Sequence, residues 1–163
     1  MFVFLCRLDP ACYAGEVRAL GMDVGSRTIG LALSDTGRML ATAWETISRR
    51  GQKADAVDVI VRAQEQEVNQ FVIGWPLELD GTVGHRARRV QSFVDAVEAE
   101  LAARDLDIGI ELWDERFSTA AAERALIEGD VSRSKRKKKI DAVAAQMILQ
   151  GWLDAQAPRE ARP

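Results

Sequence analysis

The sequence predicts an α/β domain built on one five-stranded mixed sheet. An antiparallel three-strand meander is extended by parallel strands, with helices on both faces. Three observations carry this expectation. Three short β-type segments follow one another between residues 19 and 47, separated only by turn-forming residues. Two further apolar segments, 71–74 and 108–113, alternate with stretches of helical periodicity. The composition, 47% hydrophobic and 29% charged over 163 residues, suits one compact domain and excludes a disordered chain.

The elements are expected in the order β-β-β-α-β-α-β-α-α. In residues 19–24, Leu20, Met22 and Val24 alternate with Gly21 and Asp23, as a strand requires. Residues 25–28 form a turn. Residues 29–34 repeat the alternation, with Ile29, Leu31 and Leu33 opposite Gly30, Ala32 and Ser34. A second turn at 35–38 leads to a third strand at 39–47. A helix over 52–67 would place Val57, Ile60, Val61 and Gln64 on one face. Strand 71–74 is stopped by Trp75-Pro76, and Pro76 with Asp80-Gly81 marks a loop. Over 83–104, Val90, Phe93, Val94, Val97 and Leu101 form one helical stripe. After strand 108–113, Thr119 caps a helix that Gly129 ends. A last helix is expected over 138–155. Residues 1–18 do not resemble the rest and read as a poorly tied extension, which an upstream start codon would explain. Residues 19–155 form the single domain, and 156–163 a frayed tail.

Composition removes several classes of function. Cys6 and Cys12 offer neither a disulfide framework nor a closed zinc site. A single histidine, His85, excludes a His-rich metal site and makes a Ser-His-Asp triad a poor choice. The apolar start is too short for a signal-peptide core, and no uncharged apolar run reaches the length of a membrane span. A reducing cytoplasm is the expected location. The net charge is -3, but Arg133, Lys135, Arg136, Lys137, Lys138 and Lys139 concentrate six cations without an acid among them. An acidic body with one basic strip suggests a local contact with a polyanion.

Three acidic positions invite chemistry. Asp23 stands between glycines on the small-residue face of its strand, which leaves room for a metal ion or a phosphate. The plainer reading is an aspartate capping its own turn. Asp114 and Glu115 close the fifth strand, where open α/β sheets place ligands. Alternation at a strand end does not choose between them, and an acidic turn paired with Arg116 is the plainer reading. Asp141 heads a stripe continued by Ala144, Ala145, Ile148 and Trp152, so a carboxylate leads the core-facing side of the last helix. Buried carboxylates that meet at one sheet edge repel, and a divalent cation removes the conflict. Oxygen ligands without Cys or His imply a hard ion, Mg²⁺ or Mn²⁺. Such ions serve phosphoryl chemistry, and the basic strip beside Asp141 could hold a phosphate backbone.

The segments ALGMDVGSRTIGLALSD, FVIGWPLELDG, LWDERFST and RKKKIDAVAAQMILQGWLD resemble the YqgF/RuvX family. These are proposed pre-16S rRNA nucleases, also described as proposed Holliday junction resolvases. The likeness runs from about Ala19 to Asp154. It implies a ribonuclease H-like fold and a two-metal site held by Asp23, Glu115 and Asp141, with Asp114 as the alternative acid of its block. It also implies hydrolysis of phosphodiester bonds, with Arg116 and the basic strip on the substrate side. Where the family has a smaller apolar residue this chain has Trp75, which would either stack a base or pack. The implied partner is nucleic acid, RNA before branched DNA, with no membrane. A resolvase would need a homodimer to cut a four-way junction symmetrically. Two other classes compete. DVGSRTIGLAL also resembles the phosphate hairpin of actin- and sugar-kinase-like ATPases, which need two such domains where this chain has room for one. A non-catalytic nucleic-acid or protein-binding domain is the third reading, against which the full set of acids argues.

Overall fold

A computed structural model of the chain describes residues 17–76, 84–114 and 133–156, the last segment with side chains from residue 140 onward. The expected extension over 1–16, the Asp80-Gly81 loop, the helix from Thr119 to Gly129 and the tail from 157 lie outside the described residues. So do Glu115 and Arg116.

Among the described residues five strands and three helices follow in order. They are β1 (Arg18–Val24), β2 (Thr28–Ser34), β3 (Ala41–Ser48), α1 (Gln52–Glu65), β4 (Val68–Trp75), α2 (His85–Ala103), β5 (Gly109–Asp114) and α3 (Arg133–Gln156). The sheet order is β3-β2-β1-β4-β5. The meander pairs antiparallel, and β1-β4 and β4-β5 pair parallel. This is the mixed sheet the sequence predicts.

Strand alternation divides the interior into two cores. Leu20, Met22, Ile29, Leu31, Phe71 and Ile73 join Val59 and Ile60 of α1 and Val90, Phe93 and Val97 of α2 on one face. Each large side chain buried there contributes roughly 1.5–3 kcal/mol. The other face is lined by Ala19, Ala32 and Val72, against Ala145, Ile148, Leu149, Trp152 and Leu153 of α3. Small residues let α3 lie almost on the backbone. A Cβ at Gly30 would sit 1.9 Å from the Asp141 carbonyl oxygen, and one at Gly21 would sit 2.6 Å from Leu149 Cβ. Gln146 and Gln150 fasten the same helix to the start of β3: Gln146 Nε2 donates to Ala41 O, and Ala41 N donates to Gln150 Oε1.

Four expectations are corrected. The third strand begins at Ala41, not at residue 39, and Met39 and Leu40 are exposed. Their backbone N–H groups donate to the Asp35 carboxylate at 2.7 and 2.9 Å, which bends this apolar pair into the turn. Helix α1 buries Ala56, Val59, Ile60 and Ala63, not the face of Val57, Val61 and Gln64. Packing close to α2 and the sheet favours the alanines and leaves Val61 exposed. Strand β4 starts at Val68, three residues before the apolar run, because Glu67 turns the chain at a positive φ of 56°. Gln70 is buried there, its Nε2 donating to Phe71 O, in space that Gly109 leaves open. Helix α3 starts at Arg133, so the basic strip forms its first turns. Arg and Lys are good helix formers, although cations at a helix start oppose its dipole.

Gly30→Ala tests the close approach. Its Cβ must displace α3 backbone, so a loss of at least about 1–3 kcal/mol is expected. Urea denaturation measures it, and unchanged stability would show that α3 is free to move away.

Candidate active site at the carboxyl end of the parallel strands

Asp23 is the penultimate residue of β1 and is half-buried. Its partner across the β1-β2 pair is Gly30. On the other side Met22 pairs with Ile73, which brings Gly74 of β4 level with Asp23. Glycines on both neighbouring strands thus flank this carboxylate. The face is not an empty pocket, as the small residues alone suggested, because α3 covers it. That cover delivers the second acid. Gly30 lies against the Asp141 backbone, and the Asp141 carboxylate accepts a 2.7 Å hydrogen bond from Thr28 Oγ1 through Oδ2.

The two acids interact. Burial pushes the Asp23 carboxyl up to about 6, the Asp141 charge adds to the rise, and Arg86 opposes it. Among the described residues no hydrogen bond or ion pair reaches the Asp23 carboxylate. Arg86 is exposed in the first turn of α2, which starts beyond the carboxyl end of β4. A buried carboxylate raised by a second one beside it, and among the described residues without a hydrogen-bonding partner, fits a hard divalent cation. Among the described residues no group of three or more acids, histidines or cysteines gathers at one point. The expected third ligand, Glu115, lies outside those residues.

Asp114 is described. It pairs with Trp75 at the end of the β4-β5 ladder. In β5, Ile110 packs into the first core and Trp113 against the second. Asp114 shares the parity of Ile110, whereas Asp23 shares the face of α3. The two acids therefore start from opposite sides of the sheet. Trp75 is half-buried and packs against the first core, which accounts for its ring without a stacked base. Of the residues expected on the substrate side, Arg133, Lys135, Arg136, Lys137, Lys138 and Lys139 occupy the start of α3.

Sequence reasoning missed two participants. Thr28, expected in the turn, is the first residue of β2, shares the parity of Gly30 and so faces α3. Arg86 was absorbed into a helix, although the first turn of a helix leaving a parallel strand is where ligands are met.

Comparison with known proteins agrees with this layout. A model of the RuvX family, described as Holliday junction resolvase, matches residues 17–155. The chain belongs to the RuvX family. A Myxococcus xanthus relative named "Putative pre-16S rRNA nuclease" is 46% identical over 87% of this chain and 91% of its own. A Clostridioides difficile relative of the same name is 47% identical over 84% and 94%. The fold is ribonuclease H-like. T. thermophilus RuvC in complex with a Holliday junction substrate superposes with a TM-score of 0.50 at 15% identity, covering 86% of this chain and 95% of that one. The fowlpox virus resolvase bound to Holliday junction DNA gives 0.57 at 8%, covering 87% and 100%. At these identities the likeness concerns the fold alone.

The raised Asp23 pKa fixes a sign for pH dependence in this RuvX-family chain. The folded state holds the Asp23 proton more tightly than the unfolded state does. The Asp23 contribution to stability is therefore fully present below the unfolded value of 3.8 and is lost as pH rises through about 6. Metal-free protein should lose on the order of 3 kcal/mol from this group between those limits. Asp23→Asn should flatten that slope in chemical denaturation measured across pH. An unchanged slope would remove Asp23 as its source.

Proposed function

We propose that this RuvX-family chain is a divalent-metal-dependent nuclease that hydrolyses phosphodiester bonds at the 5′ end of precursor 16S ribosomal RNA in the cytoplasm. The observation that carries the reading is the meeting of Asp23 and Asp141 on one sheet face, with Asp23 raised to about 6 by burial and by its neighbour. Relatives named for pre-16S rRNA support the choice of substrate.

Asp23 and Asp141, with Glu115 as third ligand, would hold two ions, Mg²⁺ or Mn²⁺. Glu115 is preferred to Asp114 because Asp114 shares the parity of the opposite sheet face. When bound, such ions supply an acidified water and a counter-charge for the leaving oxygen. The chain's own groups do the rest. Thr28 donates to Asp141 Oδ2 and so fixes which oxygen of that carboxylate remains available. Arg86, whose charge already reaches Asp23, is poised to meet the scissile phosphate and offset charge in the transition state. Arg116, Arg133, Lys135, Arg136, Lys137, Lys138 and Lys139 would hold flanking phosphates, which makes binding salt-dependent.

A second reading has its own support. The matching family is described as Holliday junction resolvase, and resolvases bound to junction DNA share the fold. Cleavage of precursor ribosomal RNA, single-stranded RNA, single-stranded DNA and a four-way junction, with Mn²⁺, Mg²⁺ or chelator, decides between them. Metal-dependent cutting of the precursor is expected. Paired cuts in the junction by a dimer, with the precursor intact, would favour the resolvase.

Asp23→Asn and Asp141→Asn should each lower cleavage by more than about 100-fold, beyond the usual cost of outer-shell changes. Gel-shift binding of the substrate should persist. Arg86→Ala should lower kcat by about tenfold, less than the loss of a fully enclosed transition-state donor. Full cleavage by Asp23→Asn would remove that residue from the mechanism.

A further inference from the structure

The strongest unused feature lies outside the acidic pair, at the junction of β3 and α1. Arg49 is nearly buried and Asp55 fully so, their side chains 11% and 1% exposed. Arg49 Nε donates to Asp55 Oδ2 at 2.6 Å, and Nη2 donates to Gln52 Oε1 at 2.6 Å. The Arg50 N–H holds the other Asp55 oxygen at 2.8 Å. The guanidinium carbon lies 5.8 Å from the centre of the Phe93 ring of α2. A pair that served only to join β3 to α1 would be complete here. Arg49 makes two further bonds, both to the backbone of the β1-β2 turn. Its Nη1 donates to Gly25 O at 2.8 Å, and its own N–H donates to Arg27 O at 2.8 Å.

That turn joins the two acids. Asp23 is two residues before Gly25. The Gly25 N–H donates to Thr28 O at 2.9 Å, and Thr28 Oγ1 donates to Asp141 at 2.7 Å. One four-residue turn thus carries Asp23 at its entry and the anchor of Asp141 at its exit. We propose that Arg49, locked by Asp55, is a positioning residue that fixes this turn and, through it, the spacing of the Asp23 and Asp141 carboxylates for a divalent cation. The guanidinium fork is essential to the device. It presents several donors in fixed directions, so one side chain binds a carboxylate and a carbonyl together, and an ammonium does not match that geometry. This inference rests on the metal-site reading above.

The test is calorimetric titration with Mn²⁺, alongside cleavage of precursor RNA, on wild type and two variants. Arg49→Lys keeps a cation beside Asp55 but gives up the fork. Its Mn²⁺ affinity should fall by about tenfold, the lower end of outer-shell effects. Its kcat should fall with KM for RNA unchanged, and cleavage should recover as Mn²⁺ is raised. A merely structural role would lower the melting temperature without this recovery. Asp55→Asn retains Arg49 and weakens only its anchor, so it reads the same device if the lysine variant does not melt cooperatively. A smaller fall in Mn²⁺ affinity is expected there. Wild-type Mn²⁺ affinity and kcat per folded molecule, in whichever variant folds, would overturn the proposal. A wild-type chain that neither binds Mn²⁺ nor cleaves would instead overturn the nuclease reading itself.

Discussion

The distance between α3 and the sheet governs the rest of this structure. Helices usually rest on a sheet through a layer of side chains. Here Gly21 and Gly30 remove that layer, and the carbonyls of Ala145 and Asp141 approach to where a Cβ would stand. Interiors are close-packed, so a methyl group at Gly30 cannot be absorbed without shifting the helix. The approach places Asp141 over Gly30, the partner of Asp23 in β2, and supplies the neighbouring charge. Packing on the other face supplies the rigidity: Leu20 and Met22 of β1 are fully buried in one cluster with Phe71 and Phe93. The carboxylates meet because the second core is thin where Gly21 and Gly30 face α3.

Much of this was legible from residue order. Alternation in β1 and β2 separated the two faces correctly, and the stripe headed by Asp141 turned the right way. The stripe of α2 was also correct, since Val90, Phe93, Val94, Val97 and Leu101 are all buried. The failures have physical causes. Glu67 reverses the chain at positive φ without a glycine to announce it, so the start of β4 was placed too late. In α1 the buried face is set by alanines, which carry little hydrophobic signal, while Val61 drew attention and is exposed. The last helix was expected from residue 138 because the basic strip carries no apolar periodicity, but propensity and the packing of the following turns extend it back to Arg133. Thr28 and Arg86 were overlooked because their relevance is a matter of neighbours: Thr28 reaches Asp141 across more than a hundred residues of sequence.

Asp55 and Asp23 show two ways to keep a carboxylate out of water in one small domain. Asp55 is closed off. An arginine fork and a backbone N–H occupy both oxygens, and the group is fully buried. A carboxylate satisfied in this way has little to offer a ligand. Asp23 is the reverse. It is half-buried, among the described residues receives no hydrogen bond, faces a second acid, and has only the exposed Arg86 in electrostatic opposition. Burial and the Asp141 charge raise its pKa, so added positive charge is favoured there. Below about 6 a proton supplies that positive charge, and above it no cation among the described residues is in contact with the carboxylate. The Arg49-Asp55 pair and the Asp23-Asp141 pair also share one turn, so the satisfied group holds the frame in which the unsatisfied one is displayed. A domain able to enclose Asp55 so completely could have neutralised Asp23 in the same manner. Leaving that carboxylate open at the carboxyl end of the parallel strands is the feature that reads as function, because a structural aspartate would gain stability from a partner, whereas a ligand must keep its oxygens free.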